Sequence, residues 1–279
     1  MRIDAHQHFW HLQRGDYGWL TPELAAIYRD FQPPDLKPLL DQQGIGGTIL
    51  VQAAPTVAET RYMLGLARET PWVRGVVGWV PLDAEEARSM VGELATDPLL
   101  VGLRPMLHDL SDEAWVLRPD VAVGLTAMQE HGLVLDALVR PQHLPHIRRL
   151  LERHPDLKVV IDHAAKPAIG QGGFQGWAED MAAIAGASQA CCKLSGLLTE
   201  AGPGTDAAAL RPYVEHLLAV FGPKRLLWGS DWPVLTLAAP YADWWAVTQQ
   251  LLSPLEEAER DAILGGNAQS LYLSSRGRH

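Results

Sequence analysis

Three histidines and one aspartate carry the strongest chemical signal in this chain of 279 residues. His6 and His8 are two positions apart, so on a β-strand both imidazoles leave the same face and can address one atom. His163 and Asp231 follow other apolar runs far along the chain. Imidazole and carboxylate groups bind zinc or move protons, and four of them at one place have no packing rationale. We expect these four residues to meet in one catalytic or metal-binding site.

Each of these residues also has a purely structural interpretation. His6 and His8 could be exposed loop residues, and Asp231 could form a turn or cap a helix before Pro233. The other histidines carry weaker signals. The helix predicted over 143–153 is rich in arginine, which is typical of a solvated basic face. This interpretation covers three histidines on or next to that helix, His143, His146 and His154. No converging partner is evident for His131, His216 and His279, and the roles of His11 and His108 stay open.

Short apolar runs alternate with longer segments of helical period from end to end. The predicted strands are 2–5, 47–53, 74–80, 100–104, 133–138, 157–162, 190–194 and 225–229. They are almost uncharged, which is typical of parallel strands covered on both faces. The predicted crossover helices include 84–95, 120–129, 143–153, 178–187 and 210–221. Eight such units indicate an α/β fold of the (β/α)8 TIM barrel type. A doubly wound open sheet is the alternative, weakened because no Gly-x-Gly-x-x-Gly follows the first strand.

Two departures from a minimal barrel are predicted. The first βα loop, from His6 to about Pro33, is long and rich in aromatic residues, and long barrel loops tend to be functional. After strand 8 come extra helices over 241–252 and 256–264, and Asn267 is expected to cap a short final helix that ends near Leu273. Without repeats or linkers, residues 1–279 are expected to form a single barrel domain.

Charge and composition exclude several classes of partner. Lys and Arg total 23 against 33 Asp and Glu, a net charge of −10, so nucleic acids and anionic membranes would be repelled. No apolar run reaches 18 residues and no signal peptide is visible, which predicts a soluble protein. The two cysteines, Cys191 and Cys192, are adjacent, and a disulfide between them would be strained. We therefore expect a cytoplasmic protein.

With these residues in these positions, the chain resembles a known family, the amidohydrolase superfamily, and in particular its amidohydrolase 2 group, which contains sugar-acid lactonases. The resemblance covers nearly the whole chain. Its motifs are Asp4-Ala5-His6-Gln7-His8-Phe9-Trp10, Arg29-Asp30-Phe31, Gly102-Leu103-Arg104, Asp162-His163 with Lys166-Pro167, Lys193-Leu194-Ser195-Gly196, Trp228-Gly229-Ser230-Asp231-Trp232-Pro233, and Gly266-Asn267-Ala268 with Leu271-Tyr272. It implies a hydrolase of carbohydrate metabolism that opens an L-fucono- or related aldono-lactone.

The resemblance also bears on how many metal ions the site could hold. Two-metal members of the superfamily use a carboxylated lysine after strand 4 and a histidine after strand 5, whereas this chain offers Arg104 and Asp136. The bridging ligand is therefore missing. One zinc held by His6, His8, His163 and Asp231 stays compatible with the residues. The alternative is a site in which the metal is dispensable, because Arg104 would place a positive charge near the position of a second cation.

Under this resemblance, roles follow for the candidate residues. Asp231 is expected to be the general base toward water, and the three histidines to polarise the scissile carbonyl, as donors or through zinc. Arg104 or Lys193 would stabilise the oxyanion.

The remaining candidates would bind the sugar. Gln52 and Asp136 would bond its hydroxyls, and Lys166 would line the substrate site. Trp10 and Trp232 would stack on the ring, and packing is the alternative for each of these residues.

Three alternatives to a sugar-acid lactonase stay open. They are a zinc-dependent decarboxylase of an aromatic or unsaturated acid, a cyclic-ester hydrolase of aromatic breakdown, and a non-catalytic sugar-acid binding barrel. The identity of the lactone, its ring size and its stereochemistry are not decided by the sequence. The oligomeric state is equally open, a homo-oligomer included.

Overall fold

Eight parallel strands pair in sequence order in the computed structural model, which describes residues 1–274. The strands are β1 (Ile3–Gln7), β2 (Gly47–Val51), β3 (Val73–Gly78), β4 (Leu100–Leu103), β5 (Val134–Ala137), β6 (Val159–Ile161), β7 (Cys191–Leu194) and β8 (Leu226–Trp228). The end of β8 returns to β1, where Asp231 N donates to His6 O at 2.8 Å and His8 N donates to Trp232 O at 2.8 Å. The predicted (β/α)8 barrel is confirmed, and so is each of its eight strands.

Ten α-helices surround the barrel in the part of the chain that the structure describes. They are α1 (Pro33–Gln43), α2 (Val57–Glu69), α3 (Ala87–Ala95), α4 (Pro119–Glu130), α5 (Leu144–Arg153), α6 (Gln175–Ala187), α7 (Leu197–Ala201), α8 (Ala207–Phe221), α9 (Tyr241–Leu252) and α10 (Glu257–Asp261). Every predicted helix is present, with ends that shift by a few residues. Helix α3 begins at Ala87 instead of 84 because 84–86 form turns, closed by Ala84 N to Pro81 O and Ala87 N to Ala84 O.

Two apolar layers enclose the strands. Small and β-branched side chains fill the barrel interior, among them Ala5, Ile49, Val77 and Val160. A second cluster packs the outer faces of the strands against the helices. Because both faces of each strand are covered, the strands need almost no charged residues, as the sequence pattern predicted. The interior is thus packed solid below the polar mouth.

The tail after α10 departs from its prediction. Asn267 has helical backbone angles, φ −68° and ψ −40°, and lies between wide helical turns at Ala262–Gly266 and Gln269–Leu273, the first of which is kinked at Gly265. Its side-chain amide donates to Pro223 O and Leu226 O, both at 2.7 Å. The prediction that Asn267 caps a separate helix was therefore wrong, because its amide binds carbonyls next to β8 instead.

One predicted surface residue also lies inside. His143 is 3% exposed, and its Nδ1 accepts a bond from Arg140 N at 3.2 Å. His146 and His154 are half-buried. Local sequence near the start of α5 suggested a basic face, whereas the turn at Pro141–His143 directs the imidazole of His143 inward. As for the membrane, none of the helices in residues 1–274 combines the length and apolar character that crossing a bilayer requires.

Candidate active site

Asp231 lies at the centre of three imidazoles at the mouth of the barrel. Its Oδ1 is 3.2 Å from His8 Nε2, 3.7 Å from His6 Nε2 and 3.8 Å from His163 Nε2. All four side chains are almost completely buried. The structure thus brings together the four residues that the sequence singled out, and neither His6 nor His8 is an exposed loop residue.

Unusual backbone conformations aim two of these side chains. His163, Ala164, Ala165 and Lys166 are four consecutive residues with positive φ, between 50° and 61°, and Asp231 has φ 61°. Such left-handed conformations are costly for residues with a Cβ and persist where the surrounding structure imposes them. They cluster here at the ends of β6 and β8, where His163 and Asp231 enter the site.

His8 is held between two acceptors. Its Nδ1 is 2.8 Å from the carbonyl oxygen of Val51, which can only accept, so Nδ1 carries a proton. Its Nε2 faces the carboxylate oxygen of Asp231, a second acceptor. The His8–Asp231 pair must therefore hold a further proton between Nε2 and Oδ1, unless Nε2 binds a metal ion.

His6 has the opposite arrangement. Its Nε2 is 3.2 Å from Nη1 of Arg104, which can only donate, so Nε2 is the acceptor. Its Nδ1 lies 3.4 Å from Asp162 Oδ1 and 3.2 Å from Lys193 Nζ. Burial and the charge of Lys193 hold the pKa of His6 well below its usual value, so His6 is neutral.

Burial likewise holds the pKa of His163 well below its usual value, against the pull of Asp231. The Nδ1 of His163 lies 2.8 Å from Ser195 Oγ. For Asp231, burial raises the pKa, but His163 and His8 more than offset it and lower the pKa to about 2. Asp231 is therefore the anion of the site.

A charged network lies below the cluster, inside the barrel. The fully buried Lys193 places Nζ 2.5 Å from Asp136 Oδ2 and 3.0 Å from Asp162 Oδ1. Tyr272 donates its hydroxyl to Asp136 at 2.9 Å. Burial raises the pKa of Asp136 to about 6, although Lys193 opposes the shift. This network supports His6 from beneath.

A cavity of about 220 Å³ opens above the cluster. Among the residues predicted for the site, five line it: His8, Arg104, His163, Lys166 and Asp231. Below its floor, within the described residues, lie His6, Gln52, Asp136 and Lys193, all fully buried. The amide of Gln52 donates to Arg104 O at 2.9 Å. Gln52 and Asp136 thus support the site from inside, not from its wall.

The two tryptophans predicted to stack on the substrate are packed in the protein instead. Trp10 and Trp232 are buried and contact Phe31 edge to face, with ring centroids 5.4 Å and 5.1 Å away. Neither lines the cavity. Their large rings hold the first βα loop against the end of β8, which is the packing alternative.

Among the wall residues to which the sequence analysis gave no role are Trp19 and His108. Trp19 lies in the long aromatic loop after β1, and the sequence pointed to that loop but not to this tryptophan. His108 follows β4, with Nε2 3.2 Å from Asp109 Oδ2. Burial lowers the pKa of His108 to about 3. Its position in the loop that follows β4 was the available signal.

The site contains a donor set for one metal ion. His6, His163 and Asp231 each offer a ligand atom, and these atoms lie within 4.8 Å of one another. Imidazole nitrogen and carboxylate oxygen are ligands that zinc accepts, so the residues fit this metal by type and spacing. Arg104 competes for the lone pair of His6, since its guanidinium already donates to Nε2.

Comparison with known proteins agrees with this geometry. The family model described as amidohydrolase matches residues 3–273. An L-fucono-1,5-lactonase of Burkholderia ambifaria is 45% identical over 99% of this chain and 96% of its own length. An L-fucono-1,5-lactonase of Burkholderia multivorans is 37% identical over 98% and 96%.

A solved structure extends the similarity to the fold. A crystal structure of an amidohydrolase from Burkholderia multivorans with bound zinc superimposes with a TM-score of 0.91. It is 37% identical and covers 98% of this chain and 99% of its own. The match of sequence and barrel along nearly the full length shows that this chain belongs to the amidohydrolase family.

Proposed function

We propose that this protein hydrolyses a sugar-acid lactone, L-fucono-1,5-lactone or a closely related aldonolactone, to the aldonic acid. The observation that carries the proposal is the carboxylate of Asp231 among three imidazoles at the floor of a small cavity. Relatives at 45% and 37% identity bear the name of that activity. Lactone hydrolysis needs a base, an electrophile-activating cation and a proton for the leaving oxygen, and the cavity offers a residue for each.

Attack begins at Asp231. A water beside its carboxylate gives up a proton as its oxygen bonds to the lactone carbonyl carbon. Because the pKa of Asp231 is near 2, this carboxylate is a weak base. A cyclic ester demands less of the base than an amide would, which suits a lactone better than a peptide.

Arg104 stabilises the negative oxygen of the tetrahedral intermediate. It lines the cavity, and its Nη1 lies 3.2 Å from Nε2 of His6, in the cluster around Asp231. Lys193, the alternative from the sequence, is fully buried below the floor and pairs with two carboxylates. The oxyanion role therefore falls to Arg104, which acts in a site where water is largely excluded.

The ring oxygen leaves as an alcohol when it receives a proton. The His8–Asp231 pair holds one between Nε2 and Oδ1, and His8 delivers it as the carbon–oxygen bond breaks. The proton taken from water by Asp231 restores the pair. The sum is one water consumed, one ester bond broken, and an aldonic acid that releases its own proton to solvent.

A zinc ion would be held by His6, His163 and Asp231, with His8 beside them, and would supply polarisation of the carbonyl and a more acidic water. Because Arg104 already places a cation at His6 Nε2, we expect turnover to survive removal of metal. Metal analysis of the purified protein, with lactone hydrolysis before and after chelation, tests this.

The decisive experiment is a substrate panel with Asp231→Asn. Aldonolactones are assayed by acid release and hydroxybenzoates by carbon dioxide release, which separates a lactonase from a decarboxylase. We expect lactone turnover by the wild type and a loss of well over about tenfold in Asp231→Asn. Turnover of the variant within a factor of about ten of the wild type would refute the base assignment. Thermal stabilisation by lactones without turnover would indicate a binding protein.

A further inference from the structure

We infer that Trp19 is the platform on which the apolar face of the lactone ring lies, and that it discriminates the closed ring from the opened acid. The inference rests on the proposed function and adds a specificity residue to it. Trp19 is the one aromatic ring other than imidazole among the cavity-lining residues in the described chain.

The indole of Trp19 is fixed by two contacts. Its Nε1 donates to Ala53 O at 2.7 Å, and its ring stands at 88° to that of Trp10 with centroids 5.6 Å apart. Ala53 is itself held, because its N donates to both carboxylate oxygens of the buried Glu59 at 3.1 Å. A half-buried indole gripped in this way loses little further conformational freedom when a ligand binds.

These contacts also determine what Trp19 presents to a ligand. Its only polar atom is already used by Ala53, so the surface it offers to the cavity is flat and apolar. Other parts of the wall carry charge, in particular Arg104, Lys166 and Asp231. The cavity therefore has an aromatic surface and a polar surface.

A sugar lactone matches this asymmetry. Its ring has a face of C–H groups that packs on an aromatic surface, while its carbonyl and hydroxyls need polar partners. Hydrolysis converts the ring into an extended, charged chain that has lost this flat face. The platform thus contributes to binding of substrate more than of product, which favours release of the acid.

The test uses Trp19→Phe and Trp19→Ala, with Trp72→Phe as a matched control. Trp72 is also half-buried, but it does not line the cavity, and its ring packs edge to face on that of Phe9 instead. Measured are kcat and KM for L-fucono-1,5-lactone, the Kd of the corresponding 1,5-lactam, which resists hydrolysis, and inhibition by the aldonate product. Melting temperature reports folding of each variant.

We expect Trp19→Ala to raise KM and the lactam Kd about tenfold or more, with kcat and the product inhibition constant each within about threefold of the wild type. Trp19→Phe should recover lactam affinity to within about threefold, and Trp72→Phe should behave as wild type. Lactam affinity of a folded Trp19→Ala within threefold of the wild type would overturn the inference, as would equal losses for lactam and product. Should Trp19→Ala not fold, Trp19→Phe and Trp19→Leu decide by the same criteria.

Binding and turnover separate the two proposals. Wild-type protein that binds the lactam through Trp19 but opens no lactone would refute the hydrolysis and leave the platform. Turnover that is insensitive to Trp19 would refute only the platform. Absence of both lactam binding and turnover would overturn both.

Discussion

The guanidinium of Arg104 lies 3.2 Å from Nε2 of His6, so a permanent cation shares the lone pair that a metal ion would need. Arg104 also donates to the carbonyl of Gln52. These contacts hold the guanidinium at the cavity wall, in a position to meet an oxygen of the substrate.

Replacing Arg104 by Gln should therefore have two opposite effects. We expect kcat for lactone hydrolysis to fall by about 100- to 1,000-fold, the usual loss for an oxyanion donor. Zinc affinity, measured by competition with a chelating dye, should rise because His6 Nε2 is released. Weaker zinc binding in Arg104→Gln than in the wild type would contradict the competition. Arg61→Gln, which removes an exposed arginine, is the control.

Gly196 is the second sensitive position. It has φ +68°, and a Cβ there would lie 2.8 Å from His163 Nδ1. Gly196→Ala should displace this imidazole, lower kcat/KM at least about 100-fold and destabilise the fold by about 1 to 3 kcal/mol. Gly172→Ala is the control, because Gly172 has φ +69° but no atom within 4 Å of a Cβ. The Gly172→Ala variant has the same backbone strain without a contact to His163. Equal activity of the two variants would therefore refute the prediction.

Glu59 gives a prediction for pH. Burial raises its pKa from 4.5 to about 7, although hydrogen bonds from the backbone of Ala54 and Ala53 oppose the shift. The folded state thus binds the proton more tightly than the unfolded state. The stabilisation is full below about pH 4.5 and is lost as the pH rises through about 7.

Glu59→Gln should remove this dependence. Between pH 5 and pH 8, the free energy of unfolding of the wild type should fall relative to that of the variant by about 2 to 3 kcal/mol. Denaturant unfolding at both pH values measures the difference. The exposed Glu93 serves as control through Glu93→Gln. A constant difference between wild type and Glu59→Gln would show that burial does not shift the pKa of this group.

His108 is expected to contact substrate hydroxyls from the cavity wall. His108→Ala should raise KM for an aldonolactone about tenfold, corresponding to one lost hydrogen bond to a polar group. The KM of δ-valerolactone, which lacks hydroxyls, should stay within about twofold. Equal losses for both substrates would indicate a disturbed cavity instead. His154→Ala, at the end of α5, is the control, because it does not line the cavity.

Much of this architecture was predictable because it follows from local patterns. Apolar runs predicted all eight strands, and the segment 241–252 matches α9 residue for residue. The spacing of His6 and His8, with His163 and Asp231 after other strands, predicted the cluster. In a parallel barrel all strand ends meet at one mouth, so strand position alone brings such side chains together.

The failures share one physical cause, because they depend on partners distant in the chain. Nothing local distinguishes Trp10, packed against Phe31, from Trp19, which lines the cavity. The sequence predicted a helix cap at Asn267, whereas in the structure its side-chain amide donates to carbonyls more than 40 residues away in the chain. His143 is likewise directed inward by the turn that carries it.

The hydroxyl of Tyr272 links the helical segment Gln269–Leu273, the last in residues 1–274, to the catalytic site. A chain of polar contacts joins Tyr272 to Asp136, Asp136 to Lys193, and Lys193 to the imidazole of His6. Loss of the Tyr272 hydroxyl would remove one hydrogen-bond donor from Asp136, which would keep Lys193 as its partner in this chain of contacts. A substitution at Tyr272, 266 positions after His6, would thus be felt at the catalytic floor, so the turn that carries Tyr272 should be left untouched when tags or truncations are planned.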